Sequence, residues 1–462
     1  MPKIKLKMKN KKPAKEDIQK MKKEKAAKVQ SKVEQPIKEK KIKAPRSFQT
    51  LKGMKDILAS ENKYWEYVKT KAKNFALNYG YESIETPILE ETALFNRAVG
   101  NETDIVSKEM FSFVDQGEEN VCLRPEATAS VVRSYVQHGM LNLPQPVKFF
   151  YFGPMFRYDR PQAGRLRMFH QIGLEAIGEE SPIIDAEIIF FVYNFLKDLG
   201  LKTVIEINSI GCPKCREAYK TKLINYYRDR KSGLCEDCQK RLVKNPLRLL
   251  DCKEEGCQAY KEDAPQIVDW LCDECKNHFV GVLEYLDESG VIYNLNPRLV
   301  RGLDYYTKTV FEIKSDALGA QNTLCGGGRY DNLIKELGGS DVPAIGFAFG
   351  MERAILIMME KGIKVSEIKE PDVYVVALGH LAQVKGFILL QYLRDNGLVG
   401  QIEVEQKSIS SQMKKANKLN ARKAVIIGDD EIAEGYVVVK DMQSGAQDKV
   451  ALENNKILQA LL

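Results

Sequence analysis

The sequence predicts an α+β protein built on a mostly antiparallel sheet flanked by helices, followed by a separate, smaller α/β domain. Three observations carry this. Up to about residue 370, strand-like runs dominate, and helices fall between them without βαβ alternation. Residues 147–177 contain two long apolar, aromatic-rich runs, VKFFYFGPMF and MFHQIGLEAI, joined by a short basic loop. This is the pattern of two strands and a long hairpin. From Asp372 onward strand and helix patterns alternate instead: DVYVVAL, a helix over about 381–395, IEVEQ, a helix over 408–420, AVIIG and YVVVK.

Residues 60–79 predict an amphipathic helix with Trp65, Val68, Ala72, Phe75 and Tyr79 on one face and Gly80 as its stop. YESIETPILE holds Pro87 and so reads as an edge or interface segment. Strands are expected at 110–114 and 120–124, a helix over 127–140 after Pro125, and a helix over 182–199 closed by Gly200. A strand at 203–208 leads into a Cys-rich insert at about 211–290, after which strands are expected at 310–313 and 322–325.

The 462 residues allow two or three domains. Formal net charge is +7, unevenly spread. Residues 1–46 hold 18 Lys and Arg against 5 Asp and Glu, a net of +13, so the remainder carries −6. This extension has no aromatic residue and too little apolar surface to fold alone. It reads either as an arm for nucleic acid or as a solvated tail. No run of 18 or more apolar residues occurs, so no membrane span is expected. With no apolar signal-peptide core at the start, the expected location is the cytoplasm.

Polar groups inside the hairpin point to a ligand site. Arg157, His170, Gln171 and Glu175 sit within runs that otherwise look buried, and the connecting loop adds Arg160, Gly164, Arg165 and Arg167. Burying ionisable groups is costly unless something pairs with them, and several on adjacent strands suggest a pocket for a charged ligand. No GxxxxGK[ST] occurs, so a P-loop is not offered. Gly326-Gly327-Gly328 is either a phosphate loop or, more simply, a bulge or a close approach of backbones.

The hairpin, from FRYDRP to HQIGLE, resembles motif 2 of class II aminoacyl-tRNA synthetases in its histidine-specific form. RGLDYYTKTVFE at 301–312, LCGGGRYDNL at 324–333 and AIGFAFGMERAIL at 344–356 match the same family in the same order, the last as its motif 3. The resemblance to histidyl-tRNA synthetases covers residues 47–462. It implies a class II catalytic domain over 47–365, carrying the insert, and an anticodon-binding domain over 372–462. It also implies ATP and Mg²⁺, histidine and tRNA(His) as partners, and a homodimer formed through motif 1 near residues 81–90.

Residue by residue, the resemblance assigns Arg157 to the α-phosphate, Arg353 to the γ-phosphate, Phe169 to stacking on adenine and Asp159, where Glu is usual, to the adenine amino group. Arg301 becomes the principal catalytic cation, bridging the substrate carboxylate and the α-phosphate. Its bland alternative is a structural cation paired with Asp304. Glu126, Thr128 and Gln171 are expected at the substrate amino group, with Ala127 where the family has Gly. Glu175, Tyr305 and Tyr306 are expected at the imidazole, with Tyr330 lining the same pocket. Two alternatives remain: a non-catalytic relative, the regulatory subunit of ATP phosphoribosyltransferase, and a zinc-dependent nucleic-acid-binding protein.

Eight of the ten cysteines fall in the insert: Cys212 with Cys215, Cys235 with Cys238, Cys252 with Cys257, and Cys272 with Cys275. Such pairs supply ligands for up to two structural zinc sites, against the alternative of packing residues. A helix over about 216–230 would span ~22 Å, so the first two pairs would not share one metal. Cys122 and Cys325 read as core residues.

Overall fold

The computed structural model describes residues 47–100, 103–162, 164–315, 323–365, 370–405 and 407–462. The basic extension 1–46 and most of the polar linker expected at 367–371 lie outside the described residues.

An eight-stranded sheet forms the centre. Its strands run in the order Glu82–Ser83, Val147–Phe156, Met168–Ile177, Ala344–Gly350, Thr323–Arg329, Thr307–Lys314, Val204–Ser209 and Tyr293–Leu295. The inner pairings are all antiparallel, and only the two edge strands pair in parallel. The expected mostly antiparallel sheet is therefore present. The Pro87 segment splits as its proline dictates. Residues before it make an edge strand of the large sheet, and Leu89–Glu91 makes an edge strand of a separate three-stranded sheet with Asn120–Leu123 and Phe111–Val114.

Period-two alternation divides the large sheet into two faces. Phe150, Ile172, Leu174, Ile345, Phe347, Phe311 and Ile313 face one core. Over it lie the helices Ala59–Asn78, Pro182–Asp198 and Met351–Glu360. The first of these contributes Trp65, Val68, Ala72 and Ala76, as its spacing predicts. Each buried Val, Leu, Ile or Phe here contributes about 1.5–3 kcal/mol. The residues of opposite parity, among them Val147, Phe149, Tyr151 and Met155, face a second core shared with the helix Thr128–Gln137 and with the insert.

The insert is helical: Pro213–Arg228, Glu236–Lys244, Glu255–Glu262 and Asp273–Glu288, joined by short 3₁₀ turns.

The C-terminal part is a five-stranded sheet in the order Gly400–Ile402, Val373–Leu378, Lys423–Gly428, Tyr436–Asp441, Gln447–Ala451. The first three strands are parallel and the last two antiparallel. Its two apolar clusters draw only on residues of this segment. One expectation here shifts. The strand expected at IEVEQ lies earlier, at Gly400–Ile402, and leaves Glu403, Val404 and Glu405 outside it, because pairing ends at Ile402. Beyond it Glu403 turns inward, accepts from the Val404 N–H at 3.1 Å and pairs with Lys415 at 3.2 Å, while Val404 is left exposed. The strand Gln447–Ala451 and the helix Asn454–Leu461 carry too weak a pattern to have been read.

Candidate active site

The same alternation that builds the second core aims Phe169, Gln171, Gly173 and Glu175 at one face of the sheet. Arg157 follows just beyond the paired strand that ends at Phe156. Their cross-strand neighbours on the Ala344–Gly350 side are small. Glu175 faces Gly346, which faces Gly328, and Gly173 faces Ala348, which faces Gly326, which faces Glu312. The glycines make the room. A Cβ on Gly346 would lie 1.7 Å from Glu175 Oε2, and one on Gly326 would lie 2.1 Å from Arg301 Nη2. The triple glycine is thus close-packed strand backbone, with Arg301 over Gly326 and Phe311 and Phe347 against Gly327, and not a phosphate loop, in line with the simpler sequence reading.

Glu175 is fully buried at the centre of a polar box. It accepts from Thr128 Oγ1 at 2.7 Å, Tyr330 Oη at 2.5 Å and Tyr151 Oη at 3.3 Å. Burial outweighs these donors and pushes its carboxyl up to about 8. The Tyr305 ring lies 4.6 Å from Tyr306 and 5.7 Å from Tyr330. Glu126 accepts from the backbone N–H groups of Thr128 at 2.6 Å and Ala129 at 2.9 Å, so it also caps the helix that follows. Burial raises its pKa too. Ala127 is buried beside it. The Gln171 side-chain oxygen is buried and without a partner, which is costly unless a ligand supplies a donor.

Next to the box lies a cavity of about 350 Å³ lined by Arg157, Asp159, Phe169, Gln171, Arg301 and Arg353, with Arg165, Glu312, Glu352 and Gly326 completing the wall. Arg157 donates Nε to the Pro125 carbonyl at 2.9 Å and sits 5.3 Å from the centre of the Phe169 ring. Burial lowers its pKa, as it does that of Arg353, which donates Nε to the Gly164 carbonyl at 2.9 Å. Asp159 is ion-paired to Arg165. Arg301 is paired with Glu312 and not with Asp304, whose carboxylate accepts from Asn245 at 2.7 Å. The fold thus brings all the expected histidine-side and ATP-side residues to one place, with Arg157 and Arg301 between box and cavity.

Three residues were missed. Glu312 lines the cavity beside Arg165, which the basic loop had offered, and Glu109 lies 3.8 Å from Arg165 with its pKa raised by burial. Glu352 binds the His170 N–H at 2.8 Å and His170 Nδ1 at 2.9 Å, which ties the motif 3 helix to the hairpin. A charged residue flanked by apolar ones in a strand was the available signal for Glu312.

The eight insert cysteines form two groups, Cys212–Cys215–Cys272–Cys275 and Cys235–Cys238–Cys252–Cys257, each with its sulfurs within 4.8 Å of one another. The first two pairs do not share a group, as the intervening helix requires; the first group joins the two outermost pairs, while the second joins the two neighbouring middle pairs and not pairs distant in sequence.

The sequence pattern of the family described as "Histidyl-tRNA synthetase" matches residues 53–212 and 261–354. The chain belongs to the histidyl-tRNA synthetase family. A second pattern, "Anticodon binding domain", matches residues 372–456. The histidine–tRNA ligase of Acetivibrio thermocellus is 48% identical over 406 residues, which is 88% of this chain and 97% of that protein. The histidine–tRNA ligase of Halothermothrix orenii is also 48% identical, over 89% and 97%. The crystal structure of apo S. aureus histidyl-tRNA synthetase superposes with a TM-score of 0.77 at 37% identity, covering 90% of this chain and all of that one. The histidyl-tRNA synthetase pattern skips residues 213–260, the part of the insert that holds Cys215, Cys235, Cys238, Cys252 and Cys257.

Proposed function

We propose that this chain, a histidine–tRNA ligase, activates histidine with ATP at the junction of the polar box and the arginine-lined cavity, and then charges tRNA(His). The observation that carries this assignment of roles is the buried Glu175 carboxyl, ringed by Thr128, Tyr151 and Tyr330, beside a cavity with four arginines.

Histidine lies with its imidazole toward Glu175, Tyr305, Tyr306 and Tyr330. Its amino group meets Glu126, Thr128 and the unpartnered oxygen of Gln171. Its carboxylate attacks the α-phosphorus of ATP, a bond to the bridging oxygen breaks, and pyrophosphate leaves. Negative charge gathers on the phosphorus, and fixed cations stabilise it. Arg157 and Arg301 hold the α-phosphate, Arg353 the γ-phosphate, and Phe169 with Asp159 the adenine. In the second half the terminal ribose hydroxyl of tRNA attacks the carbonyl of the adenylate, and AMP leaves.

Mg²⁺ bound with the phosphates would take oxygen ligands; the carboxylates lining the cavity are Asp159, Asp251, Glu312 and Glu352, of which the two glutamates would hold it. Each cysteine group suits one structural zinc. A tetrahedron of thiolates at a Zn–S distance of about 2.3 Å has edges of ~3.8 Å, and the Sγ separations are 3.6 Å for Cys212–Cys215 and 3.8 Å for Cys235–Cys252. Backbone N–H groups of Cys272, Cys238 and Cys235 point at sulfurs of the same groups, as they do around metal thiolates.

A homodimer is supported by the exposed apolar residues Ile88, Leu89, Phe113 and Val114 near the three-stranded sheet. Cytoplasmic location agrees with the lack of any helix, among the described residues, long and apolar enough to cross a membrane. The regulatory-subunit reading has a fold-level neighbour, a Bacillus halodurans protein titled ATP phosphoribosyltransferase regulatory subunit/histidyl-tRNA synthetase, at 22% identity and a TM-score of 0.60.

Histidine-dependent ATP–pyrophosphate exchange by the purified protein tests the proposal. Exchange with histidine alone among the standard amino acids is the expected result. No exchange, or equal exchange with another amino acid, would count against it.

A further inference from the structure

Residues 301–306 carry Arg301, Tyr305 and Tyr306 and precede the strand that begins at Thr307. Such a segment has few ladder hydrogen bonds of its own, so its position must be set by neighbours. One tie comes from outside the insert, the Asp304 N–H donating to the Val99 carbonyl at 3.3 Å; several others come from the insert and the residues that lead into it. Arg248 Nη1 donates to the Gly302 carbonyl at 2.8 Å, and Asn245 Nδ2 donates to Asp304 Oδ1 at 2.7 Å. At the other end Arg216 Nη1 donates to the Tyr306 carbonyl at 3.0 Å. The Lys308 N–H donates to the Gly211 carbonyl at 3.0 Å, and the Ile210 N–H to the Lys308 carbonyl at 2.8 Å.

Each of these insert-side ties is rooted beside a cysteine group. Gly211 and Arg216 flank Cys212 and Cys215, while Asn245 and Arg248 lie between Cys238 and Cys252. One group therefore stands behind the Arg301 end of the segment and the other behind the tyrosine end. The helices Glu236–Lys244 and Glu255–Glu262 are too short to hold shape by helix propensity alone. Crosslinking four thiolates through a metal fixes where they lie.

We propose that Arg216, Asn245 and Arg248 are positioning residues for the ligase reaction, and that the two metal-bound cysteine groups act as separate anchors for them. The Asn245–Arg248 anchor aims the Arg301 guanidinium. The Arg216 anchor aims the tyrosines that receive the imidazole. The proposal rests on the ligase reading and on metal binding by the cysteines.

The test uses full-length protein with its zinc content measured. Arg248→Gln and Asn245→Ala should lower kcat for pyrophosphate exchange by about tenfold or more, the scale of a lost charge-assisted hydrogen bond, with KM for histidine little changed. Arg216→Gln should raise KM for histidine by about as much, with KM for ATP unchanged. Arg248→Lys should recover part of the lost rate. Wild-type constants in all the variants, or a uniform loss of every constant together with loss of zinc, would overturn the positioning roles. In the second arm a chelator strips zinc from wild-type protein. Faster amide hydrogen exchange at Lys308 and weaker histidine binding by calorimetry, both reversed by zinc alone, are expected. Unchanged exchange and affinity after zinc removal, or protein that never binds zinc, would overturn the anchors. A wild-type protein with full zinc but no histidine-dependent exchange would instead overturn the assigned reaction.

Discussion

Tyr330 donates its hydroxyl to Glu175 across 2.5 Å, joining the end of the glycine-rich strand to the hairpin through a carboxyl that no solvent reaches. Burial holds that carboxyl protonated to about 8, against an ordinary 4.5. Between those values the folded protein carries a proton that the unfolded chain has released, so Glu175 lowers stability as pH rises through the window. Glu175→Gln removes that slope. Denaturant unfolding at several pH values should give a wild-type stability, relative to the Gln variant, that declines by on the order of a few kcal/mol from pH 5 to pH 8. Parallel pH profiles would mean Glu175 titrates normally. The Gln variant should also lose histidine-dependent exchange.

Arg301 is paired with Glu312 and overlies Gly326. Arg301→Ala should slow adenylate formation by about 10² or more, as loss of one charge-stabilising donor does. Glu312→Gln keeps the cation and loosens its aim, so its effect should be smaller. Single-turnover adenylate formation measures both. A near-normal rate in the Ala variant would remove Arg301 from the mechanism.

The C-terminal sheet has apolar clusters of its own. A chain ending near Glu370 should therefore still make adenylate, yet charge tRNA poorly because anticodon contacts are gone. Undiminished charging at low tRNA concentration would show that the domain contributes nothing to recognition.

Metal analysis after dialysis under reducing conditions should find two zinc equivalents per chain, one for each group of four cysteines. One equivalent would single out one group, and metal-free protein would leave the cysteines as packing residues.

What could be read in advance follows the range of the signal. Gln171, Glu175 and Arg157 were legible because a polar residue in an apolar strand is anomalous locally. The pairing of Arg301 with Glu312 was not, since Asp304 is nearer in sequence and only the turn before Thr307 and the strand register decide between them. The cysteine partners were legible only as a constraint, because the helix Pro213–Arg228 excludes one pairing without choosing among the rest. IEVEQ misled because period-two alternation shows a suitable strand and says nothing about whether a neighbour is there to pair with it.

Asp185, on the helix Pro182–Asp198, is wholly buried and shared. One oxygen pairs with Arg329, the residue before Tyr330, and the other meets His278 Nε2 at 2.9 Å. His278 belongs to the last insert helix. Splicing out residues 211–290 to obtain a minimal synthetase would therefore strip one partner from a desolvated acid at the heart of the catalytic fold. Asp185 keeps Arg329, but its second oxygen loses its hydrogen-bond partner in the interior, a loss of about 1–3 kcal/mol. A trimmed version would need a new partner for that oxygen, or a residue at 185 that does not ask for one.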